Sequence, residues 1–279
     1  MNPLPFLRFV QKHRLIGSSF SLLGLVGLAF LLLPLVALLT HAPLSTMWET
    51  LSDRAQQAIS ISISSTLLAV FVIILLGTPL GWQLARNPSP KWRLVEFFLY
   101  IPLLMPPLVI GLLLVYFYGP YGMIGSVLAH LQISASNSDL AIVIAEIYEA
   151  MPYYIFSSIA AFSQVDQSLE RTALALGLTP WHTFWRVTLP LAFPGLTVGV
   201  AMAFARALGA FGAVIIVAYD PHTLPVEIWI SLEEQGLPTA LPLALILLLI
   251  ALPLPLLTVL WRTLYNLRKD RIEPSIHDK

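Results

Sequence analysis

A few charged side chains stand in sequence that is otherwise apolar, and their spacing limits the chemistry open to them. Arg206 lies roughly midway along an apolar run near 195–217, while Glu146 and Glu149 share another near 140–162. The two glutamates are three positions apart, so on a helix they lie on one face. A charge at the centre of a bilayer costs on the order of 2.5–3.5 kcal/mol on insertion scales unless it is paired or wetted. One reading is therefore an ion pair between Arg206 and one of the glutamates. A second places Arg206 on an ion path, where it offers a passing dianion a contact weak enough to leave. A third is proton transfer through Glu146 or Glu149.

Other chemistry has no residues to carry it. The chain has no cysteine, which removes disulfides, thiolate metal sites and cysteine nucleophiles together. Its six histidines include no pair at metal-ligand spacing on a helix face, and no Ser–His arrangement converges at one depth, so neither a metal site nor a catalytic residue is expected. The G-x-x-x-x-G-K-[ST] phosphate cradle does not occur. A formal net charge of zero gives no argument for binding nucleic acid.

These side chains need elements to hold them, and composition names the solvent. The chain is 57% hydrophobic and 11% charged with a mean hydropathy of +0.81, beyond what one soluble core requires. A helix needs about 20 apolar residues to cross roughly 30 Å of hydrocarbon. Six runs suffice, which predicts an all-α membrane protein with six transmembrane helices. The first run, 15–39, follows Arg8, Lys12 and Arg14 as in a signal peptide, but it is too long and lacks a small-residue cleavage site, so it is read as retained. The second ends near Ala85. The third spans 97–122, and the stretch onward to Ser138 is expected to be a loop or an interfacial helix. The others lie at 140–162, 195–217 and 241–261. With the N-terminus inside, the inner segments collect nearly all the Lys and Arg, and Arg54 alone falls outside. Both termini are thus expected in the cytoplasm, the C-terminal one carrying a basic tail from Arg268.

Prolines and glycines mark where spans should deviate. Pro102, Pro106 and Pro107 remove hydrogen-bond donors, giving a kink or unwound backbone beside a cavity. Gly209 and Gly212 are small enough for close helix contact, within the chain or across a dimer axis. On the outer side, TLPVEIWISLEEQG predicts an amphipathic helix from near Pro225, with Asp220, Glu227, Glu233 and Glu234 making that side acidic.

The stretch LERTALALGLTPWHTFWRVTLPLAFPGL, 169–196, is punctuated differently, as a water-exposed helical hairpin on the cytoplasmic side. Asp166 or Ser168 can cap a short first helix, and Gly177 supplies the left-handed conformation that ends it. Thr179 is a good N-cap, Pro180 suits the first helical position, and the second helix is expected to run to about Thr188. Trp181, Phe184 and Trp185 then form one aromatic stripe. That stripe either lies on the membrane or its own bundle, or serves as a knob for a cytoplasmic partner.

The hairpin resembles the cytoplasmic loop of ABC-importer permeases, whose motif is Glu-Ala-Ala, three residues, Gly, nine residues, Ile, one residue, Leu-Pro. Aligned on Gly177, Ala173 matches the second alanine, Val187 stands at the isoleucine, and Leu189 and Pro190 match the end. Arg171 stands at the glutamate and Thr172 at the first alanine, which shifts any contact of that glutamate to Glu170. The segments LLGTPLGWQLAR, IPLLMPPLVIGLLL and MAFARALGAFGAVIIVA extend the resemblance over about 66–261, to permeases for molybdate, tungstate and sulfate. Ala210 departs, standing where such permeases commonly have Glu.

The resemblance implies the type I importer permease fold, as one transmembrane domain over 1–279 with its coupling loop at 164–192. It implies a bacterial inner-membrane homodimer on two cytoplasmic ATPase subunits, which would hold the ATP and Mg while this chain binds no cofactor. An extracytoplasmic binding protein would deliver a small oxyanion, and the acidic outer helix would receive that protein or lie on the membrane as a lid. Residues implied in coupling are Glu170, Arg171, Thr172, Ala173, Gly177, Trp181, Phe184, Trp185, Leu189 and Pro190. The alternative, a secondary transporter driven by protons through Glu146 or Glu149, would need no ATPase.

Overall fold

The computed structural model describes residues 4–41 and 53–272, and among these every regular element is helical. The basic ends lie outside what is described: Lys279 altogether, and Arg8, Lys12, Arg14 and the tail from Arg268 as side chains. Helix α1 (Leu4–His41) exposes its apolar side chains over 21–40 apart from half-buried Leu38, as suits a helix surrounded by lipid.

Small residues set how the next helices meet. Helix α2 (Asp53–Arg86) buries Ala58, Ser62, Ser65, Thr66, Ala69, Ile73, Gly77, Gly81 and Leu84, a stripe at helical spacing. A Cβ on Gly77 would run into the Tyr154 ring at 2.7 Å, and one on Gly81 into Ser158, so two backbones approach there as only glycine permits.

The third span is two helices, α3 (Pro90–Leu104) and α4 (Pro107–Tyr118), bent by 109°. The expected continuous 97–122 span is thereby corrected. Consecutive Pro106 and Pro107 cannot donate, and Met105 before them is extended at φ −74°, ψ 137°, as the residue before a proline prefers. Pro102, in contrast, stays inside α3 and breaks nothing. Helix α5 (Met123–His130) is the short helix expected before Ser138.

Helix α6 (Asp139–Ser163) starts where the Ser138 hydroxyl accepts the Ala141 N–H, and it packs centrally against α2 and the fifth span. The hairpin follows as α7 (Gln167–Ala175) and α8 (Pro180–Thr183). The expected stop near Thr188 does not occur. A π turn over Phe184–Thr188 leads directly into α9 (Leu189–Leu208), giving one unbroken helix over Pro180–Leu208. The Leu189 N–H reaches back to Phe184 O, so the ladder slips by one residue just before Pro190, which has no N–H to place.

The fifth helix then ends at Leu208 and not at 217. Gly209 closes it, and after a short break α10 (Val214–Val217) resumes. Helix α11 (Leu224–Gln235) is the amphipathic helix expected from Pro225, and it buries Leu224, Val226, Glu227 and Ile230. Gly236, at φ +83°, turns the chain into α12 (Leu237–Ala251), continued by α13 (Pro253–Ile272). Among the described residues five helices are long and apolar enough to cross a membrane, and the bent α3–α4 pair, taken as one span, gives a sixth.

Candidate functional site

The hairpin is built as its punctuation predicts. The Asp166 carboxylate accepts the Ser168 N–H at 2.8 Å, a bond that holds its pKa below the ordinary value. Gly177 adopts φ +89° with open space where a Cβ would stand, so conformation alone requires glycine. The Thr179 hydroxyl accepts the His182 N–H at 3.3 Å.

The aromatic stripe divides in two. Trp181 and Trp185 are 67% and 50% exposed, with rings 5.5 Å apart and edge to face. Phe184 turns inward and packs on Trp82 at 5.5 Å and Phe162 at 6.2 Å. Leu174 and Leu176 on the first arm of the hairpin are exposed as well. Ala173 is buried, Leu189 half-buried, and Thr172 and Pro190 exposed.

Glu170 faces inward, which removes it from any outward contact. Its carboxylate takes both arms of Arg86, Nη2 at 2.7 Å and Nε at 3.1 Å, and the Thr188 hydroxyl donates to it at 2.7 Å. Arg86 also donates to Phe162 O at 2.9 Å and Val165 O at 3.4 Å. One guanidinium thus ties the ends of α2 and α6 to both arms of the hairpin. Arg171 stays at the surface, 3.5 Å from Gln167. Sequence reading missed Arg86 and Thr188 because their partners lie 84 and 18 positions away. The family motif gave the one available signal, an acidic residue displaced by one position.

The intramembrane charges sort themselves unequally. Arg206 Nη2 lies 2.7 Å from Glu149 Oε2, and Glu149 Oε1 accepts the Ala213 N–H at 3.3 Å. The Glu149 side chain is fully buried while that of Arg206 is 29% exposed, its guanidinium carbon 5.9 Å from the centre of the Tyr153 ring. Tyr153 in turn lines an open recess with Tyr100, Phe156, Ser157 and Met202. Glu146 makes no such pair. Its Oε1 accepts the hydroxyls of Ser65 at 2.8 Å and Thr66 at 3.3 Å, binding α6 to α2.

Two of the predicted bend residues, Pro107 and Gly212, meet. A Cβ on Gly212 would meet Pro107 Cβ at 2.7 Å, so the fifth-span break lies against the start of α4. Gly111 repeats the contact one turn along, against Ile216 Cβ at 2.8 Å and Ala213 O at 2.9 Å. Gly209 has near it only Ala205 O of its own helix, so within the chain it serves as a helix end rather than a contact glycine. At and before α11, Glu227 is turned to His222 Nδ1 at 3.0 Å and leaves Asp220, Glu233 and Glu234 as the exposed acidic residues. The Leu224 N–H donates to Ser62 Oγ at 2.7 Å, fixing α11 to α2. Among the described residues no cluster of His, Cys, Asp or Glu could hold a metal ion.

Residues 77–271 match the family described as binding-protein-dependent transport system inner membrane component. The chain is 36% identical over 236 residues to a probable molybdenum ABC transporter permease protein of Haloferax volcanii, covering 84% of this chain and 86% of that one. It is 31% identical over 259 residues to a probable sulfate transport system permease protein of Nephroselmis olivacea, covering 90% and 91%. A solved bacterial alginate ABC transporter, crystallised with an alginate-bound periplasmic protein, shares the fold at a TM-score of 0.69 and 17% identity, over 92% of this chain and 96% of that one. Apolar spans, an aromatic hairpin between them and this sustained identity agree: the chain belongs to the inner-membrane components of binding-protein-dependent transport systems.

Proposed function

We propose that the chain is the membrane-spanning subunit of an ATP-driven importer that moves a small oxyanion of the molybdate, tungstate or sulfate kind inward from an extracytoplasmic binding protein. The observation that carries this reading is identity of 31–36%, over most of the chain, to permeases named for molybdenum and sulfate. Family membership also favours ATP over protons as the driving force.

In this reading two ATPase subunits supply ATP and Mg chemistry, and two copies of the chain form the pore. Trp181 and Trp185, with Leu174 and Leu176, are the surface offered to an ATPase groove, while Phe184 braces it from within. The Arg86–Glu170 fork makes the hairpin move with α2 and α6. Arg206, beside the Tyr153 recess, is the group a passing oxyanion meets. ATP-dependent uptake of labelled molybdate, tungstate or sulfate into proteoliposomes holding the chain, its ATPase and its binding protein is the test. Uptake by the chain alone under a proton gradient would overturn it.

A further inference from the structure

An interrupted helix at membrane depth leaves backbone donors with no water to satisfy them. In the fifth span the interruption runs from Gly209 to Ala213, and the Ala213 N–H finds its acceptor in Glu149 of the neighbouring helix α6. The same carboxylate holds Arg206, the last basic residue before the break. Its two oxygens therefore grip the chain on both sides of the gap. The gripped segment is also the one seated on the third-span bend, through Gly212 on Pro107 and through Ala213 and Ile216 on Gly111. A simple counterion for Arg206 would have no need of the second grip.

We infer that Glu149 is a positioning residue that clasps the interruption of the fifth span, holding α9 and α10 in fixed relation and keeping the break and α10 against the bend between α3 and α4. The inference rests on the transport reading only for its consequence. With the clasp in place, the junction of the two bent spans moves as a body. Without it, α10 is released from α9, and ATP is spent without the segment following.

Hydrogen–deuterium exchange on the full chain, purified with its associated ATPase subunits in nanodiscs, tests the clasp independently of any transported ion. Arg206→Met removes one grip and Glu149→Ala both, so amides at 210–217 are expected to exchange about tenfold faster in Glu149→Ala than in Arg206→Met. In proteoliposomes with the binding protein, the ATP used per oxyanion imported is expected to rise in the same order. The double variant Glu149→Arg with Arg206→Glu restores an ion pair but gives Ala213 no acceptor, so it is expected to leave exchange fast. Exchange restored by that swap, or equal in Arg206→Met and Glu149→Ala, overturns the proposal in favour of a plain ion pair. Should Glu149→Ala fail to assemble, Glu149→Leu keeps the bulk and removes both grips; exchange at 210–217 no faster in that variant than in Arg206→Met overturns the proposal equally. Failure of the wild-type complex to import oxyanion would count against the transport reading and leave the exchange result standing.

Discussion

Trp181 and Phe184 are neighbours on one stripe, yet their substitution should have opposite signatures. Trp181 is exposed, so Trp181→Ala is expected to leave thermal stability unchanged and to weaken ATPase binding by about 2 kcal/mol, the scale of an aromatic hot spot. Phe184 is wedged on Trp82 and Phe162, so Phe184→Ala is expected to destabilise the hairpin by about 2 kcal/mol, below the value for a fully buried ring. Differential scanning of the purified complex, with titration of the ATPase, separates the two. Arg86→Met removes a bidentate partner from a carboxylate only 16% exposed. Its expected cost is about 2 kcal/mol, read as roughly 30-fold faster amide exchange over 167–175. The Asp166 cap should prove insensitive to pH across the neutral range. Its pKa is lowered from 3.8, so the ionised cap contributes above that value and is lost as pH falls through the lowered one, which exchange at 167–170 would report. The Asp166 cap was legible in the chain, but the partners of Arg86 and Phe184 were not. The sequence offered Arg206 two glutamates on one face, and only the fold separates them: Glu146 meets the hydroxyls of α2, while Glu149 meets Arg206 and the backbone beyond it.

At the scale of elements, local punctuation was legible and long-range accommodation was not. Pro180 and Gly177 act through their own backbone and Thr179 through a hydroxyl three residues from its partner, so these signals could be read directly. Hydropathy, in contrast, sums over a window and is blind to a turn within it. It joined α3 to α4 across a 109° bend and carried the fifth span past Gly209. Prolines were an ambiguous guide for the same reason: Pro106 and Pro107 together end a helix, whereas Pro102 and Pro194 sit inside one. Two element-level predictions follow from geometry. Gly177→Ala forces a side chain to φ +89°, at an expected cost of about 1–2 kcal/mol, which should loosen the hairpin and lower coupled transport without altering insertion. Gly77→Leu drives a side chain into Tyr154 and should separate α2 from α6, seen as lost complex on size-exclusion chromatography.

For the whole molecule, the unbroken stretch from Pro180 to Leu208 matters most. Its 29 residues make a rod about 43 Å long, with the exposed Trp pair at one end and the clasped break at the other. The helix runs without interruption through the π turn at Phe184–Thr188 and through Pro194. In the importer reading, a turn of about 10° at the Trp end would sweep the far end through about 7 Å, gearing a modest displacement at the hairpin up into a larger one at the break.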